Sequence, residues 1–206
     1  LSNMGIKCDD YKMLISNQVI IKHIHENHPD SNVYVVGTKY LVNDFIEQGI
    51  NVTEADCDIV VIGFDTTLTY EKLVKACDFV RNGATLYGVN MDYNCPTETG
   101  FIPDCGSICQ LVFASTGIKA EFFGKPSKHT AKYIFEKTGY DKDLLAIIGD
   151  RLYTDIALGA DNGFTSILVL SGESSCEDMN RSDIKPDLVY SSLKDISEEL
   201  KKIYNV

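Results

Sequence analysis

Two carboxylates follow a strongly apolar run in the second half of the chain. Residues 147–155 read IIGDRLYTD, so Asp150 and Asp155 lie five positions apart across a predicted turn from a strand into a helix. Sites in open α/β sheets form just beyond the carboxyl ends of strands, and Mg²⁺ prefers such oxygen ligands. Structural roles are the alternative, with Asp150 as a turn residue and Asp155 as the charged start of a helix. The string as a whole favours a magnesium site.

A lysine precedes another predicted helix. Residues 122–127 read FFGKPS, in which Gly124 permits a tight turn and Pro126 suits the first helical turn. Lys125 is thereby predicted to lie beside a helix N-terminus, where its ammonium and the helix dipole both favour an anion such as phosphate. The alternative is a solvated surface lysine, because lysine is mostly exposed in proteins.

The elements that must position these residues alternate between strand and helix. Such alternation predicts parallel sheets with helices on both faces, a Rossmann-like α/β fold. The segment 90–106, rich in Pro, Gly, Asn and Asp, is predicted to be a long functional loop or a domain crossing. Apolar runs and helical spacing predict strands at 33–37, 59–64, 85–89, 144–149, 165–170 and 187–190, a strand near Glu121, and helices at 40–48, 69–82, 127–138, 154–162 and 193–204. The run 59–64 is predicted to be a strand buried on both faces, and the run 144–149 is predicted to be a buried strand.

Composition excludes several classes of protein. The 206 residues carry a net charge of −11, so an acidic surface without a basic cluster argues against nucleic-acid binding. Neither an apolar run long enough for a membrane span nor a signal peptide is found. The seven cysteines are scattered and lack a C-x-x-C motif, which is typical of reduced thiols in a cytoplasmic protein.

The two motifs together resemble motifs III and IV of the haloacid dehalogenase (HAD) phosphatases. The likeness lies in Gly-Lys-Pro, followed by a strand that ends in G-D-x-x-x-x-D with Thr before the second Asp. The surrounding sequence resembles the NagD-like branch, which includes para-nitrophenyl phosphatases and small nucleotide and sugar phosphatases. Further stretches that carry this resemblance over nearly the whole chain are 33–37, 64–65 with 69–73, 90–92, and 186–189.

This resemblance implies a magnesium-dependent phosphomonoester hydrolase. Its substrate would be a small phosphorylated metabolite, a sugar phosphate or a nucleotide, and the reaction would pass through an aspartyl-phosphate. Asp150 would be a ligand of Mg²⁺, and Asp155 would orient metal-bound water or the lysine. Lys125 would stabilise the nucleophile and the phosphoryl oxygens.

The resemblance also implies a domain organisation. Residues 1–13 would be a remnant of the HAD core, 14–112 an inserted α/β cap, and 113–206 the C-terminal part of an incomplete core. The cap would close over the active site and select the leaving group. A homodimer through the cap is a separate prediction. Substrate-binding residues in the cap would be Asp65, Asn90 and Asp92.

The D-x-D-G-T motif that supplies the family's nucleophile does not occur in these residues. The chain begins as if cut from something longer, and the 206 residues alone are predicted to be inactive. A catalytically dead binding or assembly module is the alternative. Asp65 follows a predicted buried strand and superficially resembles the nucleophile, but its motif lacks the second Asp and the Gly. A role in shaping the substrate pocket or in capping the next helix is favoured. The D-x-D at 56–58 precedes its strand and is interpreted as a solvated turn.

Overall fold

The computed structural model describes residues 4–7 and 13–205 of the chain. It divides the chain after Gly124 into two compact units, residues 1–124 and residues 125–206, here named the first and the second unit. Each unit has its own parallel sheet. The predicted parallel-sheet α/β class is therefore confirmed.

The first unit is built on five parallel strands in the order β2-β1-β3-β4-β7. All four residues of the central strand β3 are buried, as its continuous apolar run predicts for a strand covered on both faces. The elements of this unit are α1 (Ser16–Asn27), β1 (Asn32–Val36), α2 (Lys39–Glu47), β2 (Asn51–Val52), β3 (Ile59–Ile62), α3 (Tyr70–Arg81), β4 (Thr85–Gly88), β5 (Asn94–Thr97), β6 (Gly100–Pro103), α4 (Cys105–Thr116) and β7 (Glu121–Phe122).

Two capped helices, α3 and α4, cover this sheet. Thr69 caps α3 by accepting a hydrogen bond from the amide of Lys72, and Asp104 caps α4 by accepting one from the amide of Cys105. Gly117 ends α4 in the left-handed conformation that glycine adopts without strain. The apolar faces of both helices share one buried core with β1, β3 and β4.

The segment 90–106 differs from its prediction as a long loop. It contains the antiparallel hairpin β5–β6, in which Asn94 pairs with Pro103 and Thr97 with Gly100. Prolines argue against central strands but are tolerated in a ribbon whose strands both lie at an edge. Composition alone therefore concealed this hairpin.

The first unit also extends further along the chain than the predicted boundary at 112/113. Helix α4 continues to Thr116, and its residues Ile108 and Val112 are buried in the core of the first sheet. The strand near Glu121 pairs with β4 and belongs to this sheet, so its predicted assignment to the C-terminal half is wrong. The pairing of a two-residue strand leaves almost no periodic pattern in the sequence.

The second unit has three parallel strands in the order β10-β9-β8. A π-helical turn, Leu152–Ile156, leads into α6, so helical structure begins two residues before the predicted start. The elements of this unit are α5 (Lys128–Thr138), a 3₁₀ turn (Lys142–Leu144), β8 (Ala146–Gly149), α6 (Ala157–Asn162), β9 (Thr165–Val169), α7 (Cys176–Arg181), β10 (Leu188–Tyr190) and α8 (Leu193–Tyr204).

Strand β8 is less buried than its apolar run predicts. It lies at the end of its sheet, with β9 as its neighbour, and its residues Ala146 and Ile148 are exposed. Successive side chains of a strand point to opposite faces, so these two residues share one face. Among the described residues of this unit, no element covers that face, and the prediction of a buried strand is wrong.

A hydrogen-bond network joins β9 to the segment before β10. The carboxylate of Asp187 accepts hydrogen bonds from the Ser166 amide at 2.7 Å and from the Ser166 hydroxyl at 2.8 Å. These two bonds hold the pKa of Asp187 below its usual range. Asp187 therefore has a structural role in this unit.

Within residues 4–7 and 13–205, no helix has the length and apolar character that a membrane crossing requires.

Candidate active site

The three residues singled out in the second half of the chain meet at one place in the second unit. Asp150 directly follows β8, and Asp155 lies in the π-helical turn behind it. The ammonium of Lys125 forms an ion pair with Oδ1 of Asp155, and the Arg151 amide donates to Oδ2 at 3.2 Å. The Asp155 side chain is almost fully buried, whereas that of Lys125 is 47% exposed. Asp155 thus fixes the ammonium, which still faces solvent.

A glycine makes this arrangement possible. A Cβ atom placed on Gly149 would lie 2.5 Å from Oδ2 of Asp155 and still closer to its Cβ and Cγ atoms. Contacts this short do not occur between real side chains. Only glycine at the end of β8 therefore allows the Asp155 carboxylate to fold back against the strand.

Asp150 is held by the loop that follows β9. The Glu173 amide donates to Oδ2 of Asp150 at 2.8 Å, and the Ser174 amide donates to its carbonyl oxygen at 3.0 Å. In the described part of the chain, Oδ1 of Asp150 accepts no hydrogen bond, so it is the oxygen available to a cation. No motif in the sequence pointed to this loop, although the carboxyl end of β9 lies at the same sheet edge as that of β8.

Lys125 lies at the approach to helix α5, as its motif predicts. Ser127 caps α5, and its hydroxyl accepts a hydrogen bond from the His129 amide at 3.2 Å. The peptide bond between Lys125 and Pro126 is cis. An anion near this helix start would meet both the helix dipole and the lysine ammonium.

Asp65, in the first unit, lies in a closed hydrogen-bond network. Its side chain is fully buried, and Oδ2 accepts from the Lys72 ammonium at 2.6 Å. Oδ1 accepts from the amide and the hydroxyl of Thr67 at 2.8 and 2.6 Å. Burial raises the pKa of Asp65, but the hydrogen bonds from Lys72 and Thr67 outweigh it, and the pKa lies below its usual range.

This network has two consequences for the predicted roles of Asp65. The interpretation of Asp65 as the N-terminal capping residue of the next helix is wrong, because Thr69 caps α3. Lys72 also donates to the carbonyl oxygen of Gly37 at 2.9 Å, so the ion pair joins the carboxyl ends of β1 and β3. Substrate binding by Asp65 stays a prediction.

The Asp65–Lys72 ion pair yields a stability prediction. Lys72→Met would leave a buried carboxylate without its cation, and we expect a loss of about 2–3 kcal/mol in the free energy of unfolding. Lys75→Met is the control on the same helix. Lys75 pairs with the exposed carboxylates of Glu54 and Glu71, so a much smaller loss than in Lys72→Met is expected. Equal losses in urea unfolding of the two variants would contradict the prediction.

The same ion pair sets a pH dependence. The pKa of Asp65 is lower in the folded than in the unfolded chain, so its stabilisation is complete above the unfolded pKa of about 4 and is lost as the pH falls through the folded pKa. Lys72→Met removes the main cause of this difference. The difference in the free energy of unfolding between Lys72→Met and the parent should therefore become smaller below about pH 4.

Asn90 and Asp92 shape the loop after β4. The Asp92 amide donates to Oδ1 of Asn90 at 3.2 Å, and the Gly106 amide donates to the carbonyl oxygen of Asp92 at 2.8 Å. A Cβ atom on Gly106 would collide with this loop backbone. Both residues thus lie at the carboxyl end of β4, next to the β3 end that carries Asp65. Their predicted contact with substrate stays a prediction.

Metal-ligating side chains are sparse throughout the described chain, the candidate site included. Within residues 4–7 and 13–205, no three His, Cys, Asp or Glu residues form a group that could hold a metal ion. The cysteines of this part are free thiols, as predicted. The sulfur atoms of Cys105 and Cys109 lie 4.0 Å apart, and the Cys105 thiol donates to the carbonyl oxygen of Ile62. Cys8 lies outside the described residues.

Comparison with known proteins supports the resemblance that the motifs suggested. A family model described as HAD-hydrolase-like matches residues 122–196, which include Lys125, Asp150 and Asp155. An acid sugar phosphatase of Staphylococcus aureus is 35% identical over 203 residues, which cover 98% of this chain and 78% of that protein.

Solved structures of similar proteins extend this finding. A 4-nitrophenylphosphatase from Thermotoga maritima superposes with a TM-score of 0.92 at 40% identity and covers 96% of this chain and 76% of its own. NagD from E. coli K-12 superposes with a TM-score of 0.84 at 29% identity and covers 93% of this chain and 75% of its own. The chain therefore belongs to the haloacid dehalogenase superfamily, in the branch of NagD and the 4-nitrophenyl phosphatases.

Proposed function

We propose that the chain provides the cation site and the phosphate-binding lysine of a magnesium-dependent phosphomonoesterase. The observation that carries this proposal is the Lys125–Asp155 ion pair beside Asp150 at the end of β8. The substrate would be a small phosphorylated metabolite, a sugar phosphate or a nucleotide. An acid sugar phosphatase among the relatives supports the sugar phosphate.

The donor chemistry of the site fits Mg²⁺. Asp150 offers a carboxylate oxygen, and Mg²⁺ is usually bound by one or two carboxylates together with waters and substrate phosphates. Asp150 would hold the ion through Oδ1, because Oδ2 already accepts the Glu173 amide. The bound ion would neutralise charge that develops on the phosphoryl group.

Lys125 and Asp155 act as a unit in the proposed mechanism. The Asp155 carboxylate accepts hydrogen bonds from the Lys125 ammonium and from the Arg151 amide, and so it fixes the direction of the ammonium. The remaining ammonium hydrogens can donate to a phosphoryl oxygen and to the attacking carboxylate. That arrangement orients both reactants and stabilises negative charge during transfer.

The attacking carboxylate would come from a D-x-D-G-T segment, which these 206 residues do not contain. Its oxygen would form a bond to phosphorus while the bond to the leaving oxygen breaks, and the leaving alkoxide would take up a proton. Water would then hydrolyse the aspartyl-phosphate and release phosphate. The 206-residue chain alone is proposed to bind the cation weakly and to be inactive.

We also propose that the first unit is the cap of the family, which selects the leaving group. Its own parallel sheet and buried core support this assignment. A homodimer through this cap and a cytoplasmic location stay predictions.

Substitution of Asp150 tests the cation site. We expect Asp150→Asn to weaken Mg²⁺ binding at least about tenfold, because even partners outside the ligand set change metal affinity by about 10–100-fold. Calorimetric titration of the chain with MgCl₂ measures this. Asp161→Asn, an exposed carboxylate of α6, is the control for the change in charge. Equal magnesium affinity of Asp150→Asn and the parent would contradict the proposal.

A further inference from the structure

The loop after β9 binds the proposed magnesium ligand, Asp150, and the main chain that follows it. The Glu173 amide donates to the Asp150 carboxylate at 2.8 Å, and the Ser174 amide donates to the Asp150 carbonyl oxygen at 3.0 Å. In return, the Leu152 amide donates to the Ser174 hydroxyl at 3.2 Å. These three hydrogen bonds join the loop after β9 to the segment that follows β8, directly beside Asp150.

The Glu173 side chain forms further contacts between the loop after β9 and the segment that follows β8. Its Oε2 lies 2.7 Å from Nε of Arg151, and its Oε1 accepts the Tyr153 hydroxyl at 3.2 Å. Residues 173 and 174 together therefore contact each of the four residues from 150 to 153. Glu173 therefore binds Asp150 through its backbone amide, and Arg151 and Tyr153 through its carboxylate.

Close packing leaves Asp150 little freedom to turn away from this loop. A Cβ atom on Gly172 would collide with the Cβ, Cγ and Oδ2 atoms of Asp150. The absence of a side chain at position 172 thus lets the loop approach close enough for the Glu173 amide to reach Oδ2. The carboxylate is fixed through one oxygen, and the other remains available.

We propose that Glu173 is a positioning residue for the divalent cation, because its carboxylate holds the loop whose amide orients the Asp150 carboxylate. This inference rests on the proposed function, in which Asp150 binds Mg²⁺. It predicts that Glu173 influences the affinity for the cation through Asp150 without touching the ion.

The exposure of these groups separates such a role from a general contribution to stability. The side chains of Arg151 and Glu173 are 19% and 38% exposed, and ion pairs that face solvent contribute little to stability. Loss of the Glu173 carboxylate should therefore change the unfolding midpoint little. Partners that orient a metal ligand, in contrast, change metal affinity by about 10–100-fold.

A magnesium titration followed by the amide resonances of Glu173 and Ser174 in ¹H–¹⁵N spectra tests the inference. For Glu173→Ala, the titration is followed at position 173 in the same way, and we expect about tenfold weaker binding. Glu173→Gln should retain more of the affinity than Glu173→Ala, because its amide oxygen can still accept from Arg151 while its NH₂ group donates to the Tyr153 hydroxyl oxygen. Glu177→Ala is the matched control: Glu177 is an exposed carboxylate of α7 that pairs with Arg181.

The outcomes distinguish this inference from the proposed function. Unchanged affinity in Glu173→Ala, or an equal loss in Glu177→Ala, would overturn the positioning role while leaving the cation site intact. Adding Glu173→Ala to Asp150→Asn should cause no further loss, and a further tenfold loss would also overturn it. An Asp150→Asn chain that binds Mg²⁺ like the parent, or a parent without any magnesium-dependent shift, would refute the proposed cation site itself.

Discussion

The 206-residue chain, assayed alone, is expected to release no 4-nitrophenol from 4-nitrophenyl phosphate above background. Lys125, Asp150 and Asp155 can gather around a phosphate, but none of them is placed for attack on phosphorus. Lys125 and Asp155 pair with each other, and Asp150 accepts the Glu173 amide. Without a nucleophile, an aspartyl-phosphate cannot form.

Joining a D-x-D-G-T segment to the N-terminus should produce turnover, and this difference is the largest effect that we predict. Enzymes exceed the uncatalysed reaction by about 10⁶-fold or more, so a standard absorbance assay has ample range. The same extension with both Asp residues replaced by Asn is the matched control. Absence of turnover in the extended chain would favour the binding or assembly module.

Robust hydrolysis by the 206 residues alone, abolished by Asp65→Asn, would contradict the proposal in another way. The nucleophile would then lie in the first unit. The structure gives a physical reason to expect otherwise. The Asp65 side chain is fully buried, and its two oxygens accept hydrogen bonds from Lys72 and Thr67. A carboxylate held in this way has no free oxygen for attack on phosphorus.

The second large effect concerns Lys125 in the chain extended with the nucleophile segment. Lys125→Ala should lower kcat by about 10²–10³-fold, which is typical for removal of one group that stabilises developing charge. Lys128→Ala, at the first residue of α5 and exposed, is the control for the loss of a positive charge. Asp150→Ala should likewise remove most of the activity.

Stability must be separated from catalysis in this experiment, because Lys125→Ala leaves the nearly buried Asp155 carboxylate without its cation. An unpaired buried charge destabilises a protein. The double variant Lys125→Ala with Asp155→Asn removes that charge, and we expect it to recover the unfolding midpoint but not kcat. Recovery of kcat in the double variant would show that Lys125 serves only to neutralise Asp155.

The parts of the site that could be predicted from sequence share one property, which is a motif carried by contiguous residues. Gly149 and Asp150 end a strand, and Asp155 follows within one turn, so strand-end geometry brings them together. The role of Lys125 could be predicted only with the resemblance to the family, because a lysine in a loop is ordinarily solvated. The ion pair between Lys125 and Asp155 joins residues 30 positions apart, and no local pattern encodes it.

The loop at Glu173 lay beyond such reasoning for a similar reason. Its contact with Asp150 depends on a backbone amide, which every residue except proline carries. Gly172 was the available signal, but its meaning becomes clear only when Asp150 is seen against it. The strand at Glu121 was assigned to the wrong sheet, because its partner β4 is separated from it by the hairpin β5–β6 and by α4.

The position of β8 at the edge of its sheet has a consequence for the protein in concentrated solution. Residues 145–149 read LAIIG, an uncharged, β-prone run, and Ile148 lies exposed at the end of the sheet. Such an edge is a template for pairing with another strand, and short segments of this composition are prone to aggregation. The net charge of −11 opposes this through mutual repulsion of the molecules. Colloidal stability should therefore decline when salt screens that repulsion or when acid neutralises it.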